Sequence, residues 1–137
     1  MKTSARNELN GKIAELKSGG VMSEVIVKIS DHITISATIT NDAKESLGLK
    51  IGDNVSALIK SSLVLLSKEK LKITARNNIK TKVTEVIKGA VNSEVKLSVG
   101  DKSLCAVVTN DAINDLQINA GNEVYAIFKA SSVILIA

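Results

Sequence analysis

The sequence repeats itself, and this duplication constrains the fold of the 137-residue chain more than any other feature. Residues 4–29 aligned with 74–99 give ten identities in 26 positions, and residues 40–66 aligned with 109–135 give twelve in 27. A unit of about 65 residues buries only about 60% of its unfolded surface. We therefore predict two small domains, at 1–67 and 74–137, joined by a connector at 68–73 and resting on each other or on further subunits.

Within one unit, apolar residues alternate with polar ones at the period of two that is typical of half-buried strands. Five such segments occur in the first unit, at 5–16, 23–29, 33–40, 54–60 and 63–66. Between the third and fourth segments, TNDAKESLGL predicts a short helix with an asparagine or aspartate cap and Gly48 at its C-terminal end. This order predicts an all-β chain of two tandem OB-type five-stranded Greek-key barrels, each with one short helix.

The composition predicts an aliphatic core and shows no catalytic apparatus. Hydrophobic residues make up 45% of the chain but aromatic residues only 1%. The single histidine, His32, lies in a predicted turn, and the single cysteine, Cys105, lies in an apolar run where burial is expected. The sequence contains no metal-ligand, phosphate-loop or dinucleotide-binding spacing. We therefore expect a protein that is not an enzyme, with no organic cofactor and no directly ligated metal cation.

The net charge of +4 suits an anionic partner without identifying it. OB barrels that bind single-stranded nucleic acid stack the bases on aromatic side chains, and the first unit has none. A nucleic-acid binder is an alternative for which the first unit lacks the stacking residues, and no nucleic-acid partner is expected. The first residues are too polar for a signal peptide, and no apolar stretch approaches the roughly 20 residues of a membrane span. We expect a cytoplasmic protein with no membrane partner.

Both units share a set of hydrogen-bond donors that carries positive charge. The set comprises a hydroxyl at Ser4 or Thr74, a guanidinium at Arg6 or Arg76, an amide at Asn7 or Asn77, and an ammonium with following hydroxyls at 60–62 or 129–132. A small tetrahedral dianion only accepts hydrogen bonds, so its ideal site offers donors and positive charge without a nearby carboxylate. The pattern favours a site for a small oxyanion.

The same motifs carry a family resemblance. SARN or TARN, a glycine pair or its equivalent, SEV, TNDA, and a late lysine followed by serines resemble the Mop domain, the molybdate-binding member of the TOBE group. Two Mop units in one chain resemble the di-Mop molbindins. The resemblance implies cytoplasmic binding, storage and homeostasis of molybdate or tungstate in a homotrimer, with anion sites between units. A module that senses the oxyanion and acts on a transcriptional regulator or a transporter is the alternative.

The resemblance also implies site residues, by position in the motifs. The implied oxyanion-binding residues are Ser4, Arg6, Asn7, Thr40, Lys60, Ser61 and Ser62 in the first unit and Thr74, Arg76, Asn77, Thr109, Lys129, Ala130 and Ser131 in the second. A second kind of site, built of backbone groups near the threefold axis, is implied at Gly19, Gly20, Val21 and Ser23 and at Gly89, Ala90, Val91, Asn92 and Ser93. Molybdate, tungstate and sulfate share charge and shape, so the sequence does not choose among them.

Overall fold

The computed structural model describes residues 3–137, and in this range it has ten strands and two α-helices. In the first unit these are β1 (Arg6–Ser18), β2 (Met22–Ser30), β3 (Ile33–Thr40), α1 (Asn41–Leu47), β4 (Asn54–Lys60) and β5 (Leu65–Ser67). In the second unit they are β6 (Asn77–Lys88), β7 (Asn92–Val99), β8 (Lys102–Thr109), α2 (Asn110–Leu116), β9 (Glu123–Phe128) and β10 (Val133–Ile136). A short 3₁₀ turn follows β4 at Ser61–Leu63 and β9 at Ala130–Ser132. The predicted fold class is confirmed: two five-stranded sheets, with one short helix in each unit.

The two units exchange their last strands. One sheet has the order β10-β4-β1-β2-β3 and the other has the order β5-β9-β6-β7-β8. Val133 in β10 pairs with Ile59 in β4, and Leu65 in β5 pairs with Ile127 in β9, both antiparallel. Each sheet is therefore completed by a strand of the other unit, and separating the units would remove one edge strand from both sheets.

The core is aliphatic, as the composition predicts. Inward-facing residues of β2 and β3, such as Val25, Val27 and Ile35, are fully buried, and their outward neighbours are not. Buried residues of both sheets form a single hydrophobic cluster. Burying one such side chain contributes about 1.5–3 kcal/mol, so the shared cluster holds the two units together along with the exchanged strands.

The threonine of each TNDA motif caps the helix that follows it. The Thr40 hydroxyl accepts a hydrogen bond from the Ala43 N–H at 3.1 Å, and Thr109 caps α2 in the same way. The predicted asparagine or aspartate cap is therefore wrong: the cap is the threonine before them, because its hydroxyl reaches the exposed N–H groups of the first turn. The predicted C-terminal end at Gly48 is confirmed, with φ of 61°, and Gln117 adopts the same left-handed conformation in α2. Within residues 3–137 no helix is long and apolar enough to cross a membrane.

Candidate functional site

In each unit, the segment that contains the arginine (4–7 or 74–77, the ARN segment) lies beside the segment that follows the fourth strand of that unit (60–62 or 129–131, the lysine segment). Arg6 is paired with Lys60 between β1 and β4, and the Ser61 N–H donates to the Ala5 carbonyl at 3.1 Å. In the second unit Asn77 pairs with Phe128, which brings the preceding arginine next to Lys129. Strand pairing therefore places two cations side by side in each unit.

The second unit has a cavity of about 360 Å³ at this place, here called the second-unit cavity. Five predicted residues line it, namely Thr74, Arg76, Lys129, Ala130 and Ser131. The remaining lining residues are Ala75, Leu65, Ile73 and Thr38. Among these described residues there is no carboxylate, and two cations and three hydroxyl groups line the same space. The lining has the donor-rich chemistry that a small oxyanion requires.

Predicted residues of the two units also meet in a second cavity, of about 490 Å³. Ser62 lines it together with Thr109 and Asn92, and most of the other lining residues are apolar. Ser4, Arg6 and Lys60 are exposed, whereas Ser61 is buried. Thr40 is exposed at the start of α1, where its hydroxyl oxygen is used in capping and its proton stays free to donate. Residues 3–137 contain no group of three or more histidine, cysteine, aspartate or glutamate side chains arranged to hold a metal ion.

Each arginine of the ARN segments forms an ion pair with a glutamate of the other unit. Arg76 donates from Nη1 and Nη2 to the two carboxylate oxygens of Glu24, at 2.6 and 3.2 Å. Arg6 pairs with the equivalent residue, Glu94. The expectation that no carboxylate lies near these cations is therefore wrong for the arginines, because the SEV strand of each unit faces the ARN segment of the other. A guanidinium has five N–H donors, so Arg76 retains three after this pairing.

The asparagines of the ARN segments are buried and bridge the two units. The Asn7 amide donates to the Cys105 carbonyl at 2.8 Å and accepts from the Cys105 N–H at 2.7 Å. Asn77 makes the same two bonds with the backbone of Ser36, at 2.9 and 2.8 Å. Neither asparagine lines the second-unit cavity. The two asparagines, which are predicted anion ligands, therefore fix the ARN segment of each unit against the opposite unit.

Cys105 lies beside the ion pair of Arg6 and Glu94. Its Sγ atom is 3.3 Å from the Glu94 carboxylate, and burial, followed by this contact, raises the pKa of the thiol to about 11. The thiol therefore stays protonated at neutral pH, and its expected burial is confirmed at 7% exposure. The hydrogen bond from Arg6 lowers the pKa of Glu94 and outweighs the opposing effect of burial.

The Glu94→Gln variant is expected to be less stable than the wild type at pH 7, and this difference should disappear in acid. A carboxylate whose pKa is lowered by folding stabilises the protein above its unfolded-state pKa of about 4.3 and loses that contribution as the pH falls through the folded-state pKa. Urea unfolding at a series of pH values measures the difference. Glu45→Gln, at an exposed position on α1, is the control. A difference that is equal at pH 7 and pH 3 would contradict the electrostatic explanation.

The residues predicted for the second kind of site lie around the β1–β2 and β6–β7 turns. Gly19, Gly20, Gly89, Ala90 and Asn92 are exposed there. The Val21 and Val91 side chains are 73% and 71% exposed. Ser23 and Ser93 are buried, and their hydroxyls bond to the side chains of Asn41 and Asn110. Sequence reasoning missed both asparagines, which also bond to the Gly19 and Gly89 carbonyls at 3.0 Å and so fix the two turns.

Comparison with known proteins adds two curated relatives. Over 98% of its length the chain is 44% identical to the molybdenum transport protein ModE of Azotobacter vinelandii. It is 36% identical, over the same share, to the molybdenum-pterin-binding protein MopA of Rhodobacter capsulatus. The matched regions are 51% and 52% of those proteins, so the chain spans about half the length of these relatives.

The structure of the cytoplasmic molybdate-binding protein ModG, determined with molybdate bound, matches the whole arrangement. The TM-score is 0.94 at 35% sequence identity, and the match covers 98% of both chains. The family model of the TOBE domain matches residues 3–66 and again residues 73–135. The chain therefore belongs to the TOBE domain family and carries two TOBE domains in tandem.

Proposed function

We propose that this chain binds and stores molybdate at sites formed by the ARN and lysine segments. The observation that carries the proposal is the second-unit cavity, which combines Arg76, Lys129 and three hydroxyls without a carboxylate in its lining. A tetrahedral dianion accepts hydrogen bonds and donates none, so this lining matches its requirements. The match to ModG, whose structure contains molybdate, supports the same ligand.

The two cations have different parts in this proposal. Glu24 holds Arg76 from outside the lining and neutralises part of its charge, but it also fixes the direction of the guanidinium. A pre-oriented donor loses little freedom when the anion arrives. Lys129 forms no ion pair in the described part of the chain, so it supplies positive charge that no carboxylate offsets. Counting Arg76, Lys129 and Glu24, the surroundings of the cavity carry a net charge of +1.

We assign the site residues on this basis. The second-unit site comprises Thr74, Arg76, Lys129, Ala130 and Ser131, and its first-unit counterpart comprises Ser4, Arg6, Lys60, Ser61 and Ser62. Thr40 and Thr109 can add a hydroxyl proton from the helix caps, and Asn7 and Asn77 position the ARN segments. Backbone N–H groups of the β1–β2 and β6–β7 turns are the proposed donors of the second kind of site.

We further propose that the chain is a cytoplasmic homotrimer. Val21 and Val91 occupy equivalent turns and expose most of their apolar surface, and Ile51 and Ile134 are each 64% exposed. A larger assembly would cover such residues. ModG is described as cytoplasmic, which supports the location. Light scattering coupled to size exclusion should give a mass three times that of one chain, and a monomer would contradict the trimer.

The experiment that tests the function is isothermal titration of the assembled protein with molybdate, tungstate and sulfate, together with equilibrium dialysis to count bound anions. We expect saturable uptake of molybdate and competition by tungstate. The sulfate titration shows how far size contributes to selection. Heats of dilution alone for molybdate would contradict the proposal.

A second candidate function is an oxyanion-sensing module that acts on a regulator or transporter. It is favoured by one observation, namely that the chain matches about half of relatives such as the transcriptional regulator ModE of Yersinia pestis, at 33% identity. Binding of DNA or of a partner protein that depends on molybdate would support the sensing role. Anion uptake without such binding supports storage.

A further inference from the structure

The residues of each unit that face the ARN segment of the other unit differ between the two units. In the first unit, Glu24 of β2 lies directly opposite Thr38 of β3; Glu24 holds Arg76 and Thr38 lines the second-unit cavity. In the second unit, Glu94 lies opposite Val107, and Glu94 holds Arg6. Both units have a glutamate at the first of these positions. At the second position the first unit has a hydroxyl, on Thr38, and the second unit has only methyl groups, on Val107.

The lysine segments differ in the opposite sense. Ser61 follows Lys60 in the first unit, and Ala130 follows Lys129 in the second; both residues are 6% exposed. The first-unit site thus has a buried hydroxyl in its own lysine segment and none at the facing position of β8. In the second-unit site, the buried position of the lysine segment is Ala130 and has no hydroxyl, whereas β3 of the other unit contributes the hydroxyl of Thr38.

The second-unit cavity is also bounded by apolar side chains. Leu65, from the exchanged strand β5, and Ile73, from the connector, line it. In the aligned repeat, Ile73 corresponds to Thr3 of the first unit. Leu65 and Ile73 are 57% and 43% exposed, so water is displaced from them only when an anion fills the cavity. A hydrogen bond formed where water is displaced is stronger than one in open solvent, so the Thr38 hydroxyl in the same lining can contribute to binding.

We propose that the Thr38 hydroxyl contacts the oxyanion bound in the second-unit site and contributes to the affinity of that site. It donates its hydroxyl proton across the boundary between the units, where Ser61 supplies the corresponding hydroxyl in the first-unit site. The two sites of one chain therefore hold the anion with donors from different directions and bind it with different affinity. This inference rests on the proposed function.

The test uses exchanges of similar shape in the full chain and its native assembly. Thr38→Val should weaken molybdate binding about tenfold in one class of sites, the lower end of the effect of losing one hydrogen bond to a charged group. Val107→Thr places a hydroxyl at the equivalent position and should strengthen the other class by up to about the same factor. Ser61→Ala should weaken the class that Val107→Thr strengthens, which assigns each class to its unit. Isothermal titration with molybdate measures these affinities, and thermal unfolding of each variant reports on folding.

Each result separates this inference from the proposed function. If the wild type binds molybdate and Thr38→Val titrates identically, the inference is overturned and the function stands. If the wild type takes up no molybdate, both are overturned. Thr38→Ser keeps the hydroxyl and should retain most of the affinity; a loss equal to that of Thr38→Val would show that packing is responsible and would overturn the hydroxyl contact.

Discussion

Replacing Asn7 with alanine is expected to destabilise the protein by about 3 kcal/mol, although Asn7 belongs to a motif that resembles an anion-binding one. Its amide exchanges two hydrogen bonds with the backbone of Cys105, and both residues are buried. Alanine would leave the Cys105 N–H and carbonyl without partners, and each unpaired buried group costs about 1–3 kcal/mol. Urea unfolding measures the change, at a fixed protein concentration because assembly contributes to apparent stability.

Two further variants test this prediction, one as a control at an exposed asparagine and one at Asn7 itself. Asn10→Ala removes an exposed asparagine of the same strand, whose side chain bonds only to Ser56 among the described residues, and should change the unfolding free energy by less than about 0.5 kcal/mol. Asn7→Asp puts a carboxylate against the Cys105 carbonyl and should be at least as destabilising as alanine. The folded Asn7→Ala protein should still bind molybdate. A variant of normal stability that had lost anion binding would instead make Asn7 a ligand.

Local structure was largely predictable because alternation of apolar and polar residues fixes which face of a strand is buried. The predicted strands at 23–29 and 33–40 agree with β2 and β3 to within one residue, and 54–60 coincides with β4. The prediction of a strand at 63–66 was less accurate. The chain first makes a 3₁₀ turn, which the bond from the Ser61 N–H to the Ala5 carbonyl holds against β1, and β5 starts only at Leu65.

The exchange of β5 and β10 could not be predicted from the repeat. A fifth strand that pairs with its own unit and one that pairs with the other unit bury the same alternate residues, so both arrangements share one hydrophobic pattern. The choice depends on the direction in which the chain leaves the 3₁₀ turn. In domain exchange of this kind the contacts are equivalent and only the connection differs.

The chemistry of the candidate site was predicted better than its geometry. Donor residues that recur in both units pointed to an oxyanion, and four of them, in the second unit, line one cavity. The partners across the boundary were missed, because aligning two repeats shows which residues correspond but not which face each other. A glutamate occurs at the same position of both SEV motifs, as Glu24 and Glu94, and this recurrence could have suggested partners for the arginines. Thr38 has no such signal, since its counterpart is Val107.

Replacing Lys129 with methionine is expected to weaken molybdate binding in the second-unit cavity about 30-fold. A hydrogen bond to a charged group contributes about 1.5–3 kcal/mol, which corresponds to a change of about 10- to 150-fold in affinity. The effect should be large because Glu24 already offsets Arg76, so removing the lysine charge leaves the surroundings of the cavity with no net positive charge. Methionine keeps the length of the side chain at an exposed position, so unfolding should change little.

The matched control is Lys17→Met, which removes the same charge from an exposed position of β1 that has no ion pair in the described part of the chain. Isothermal titration should show normal binding for this control. Lys60→Met should reproduce the loss in the first-unit site and leave the second-unit site unchanged, because each lysine lies beside the arginine of its own unit. An equal loss in Lys17→Met and Lys129→Met would mean that the total charge of the chain attracts the anion, and that the cavity does not select it.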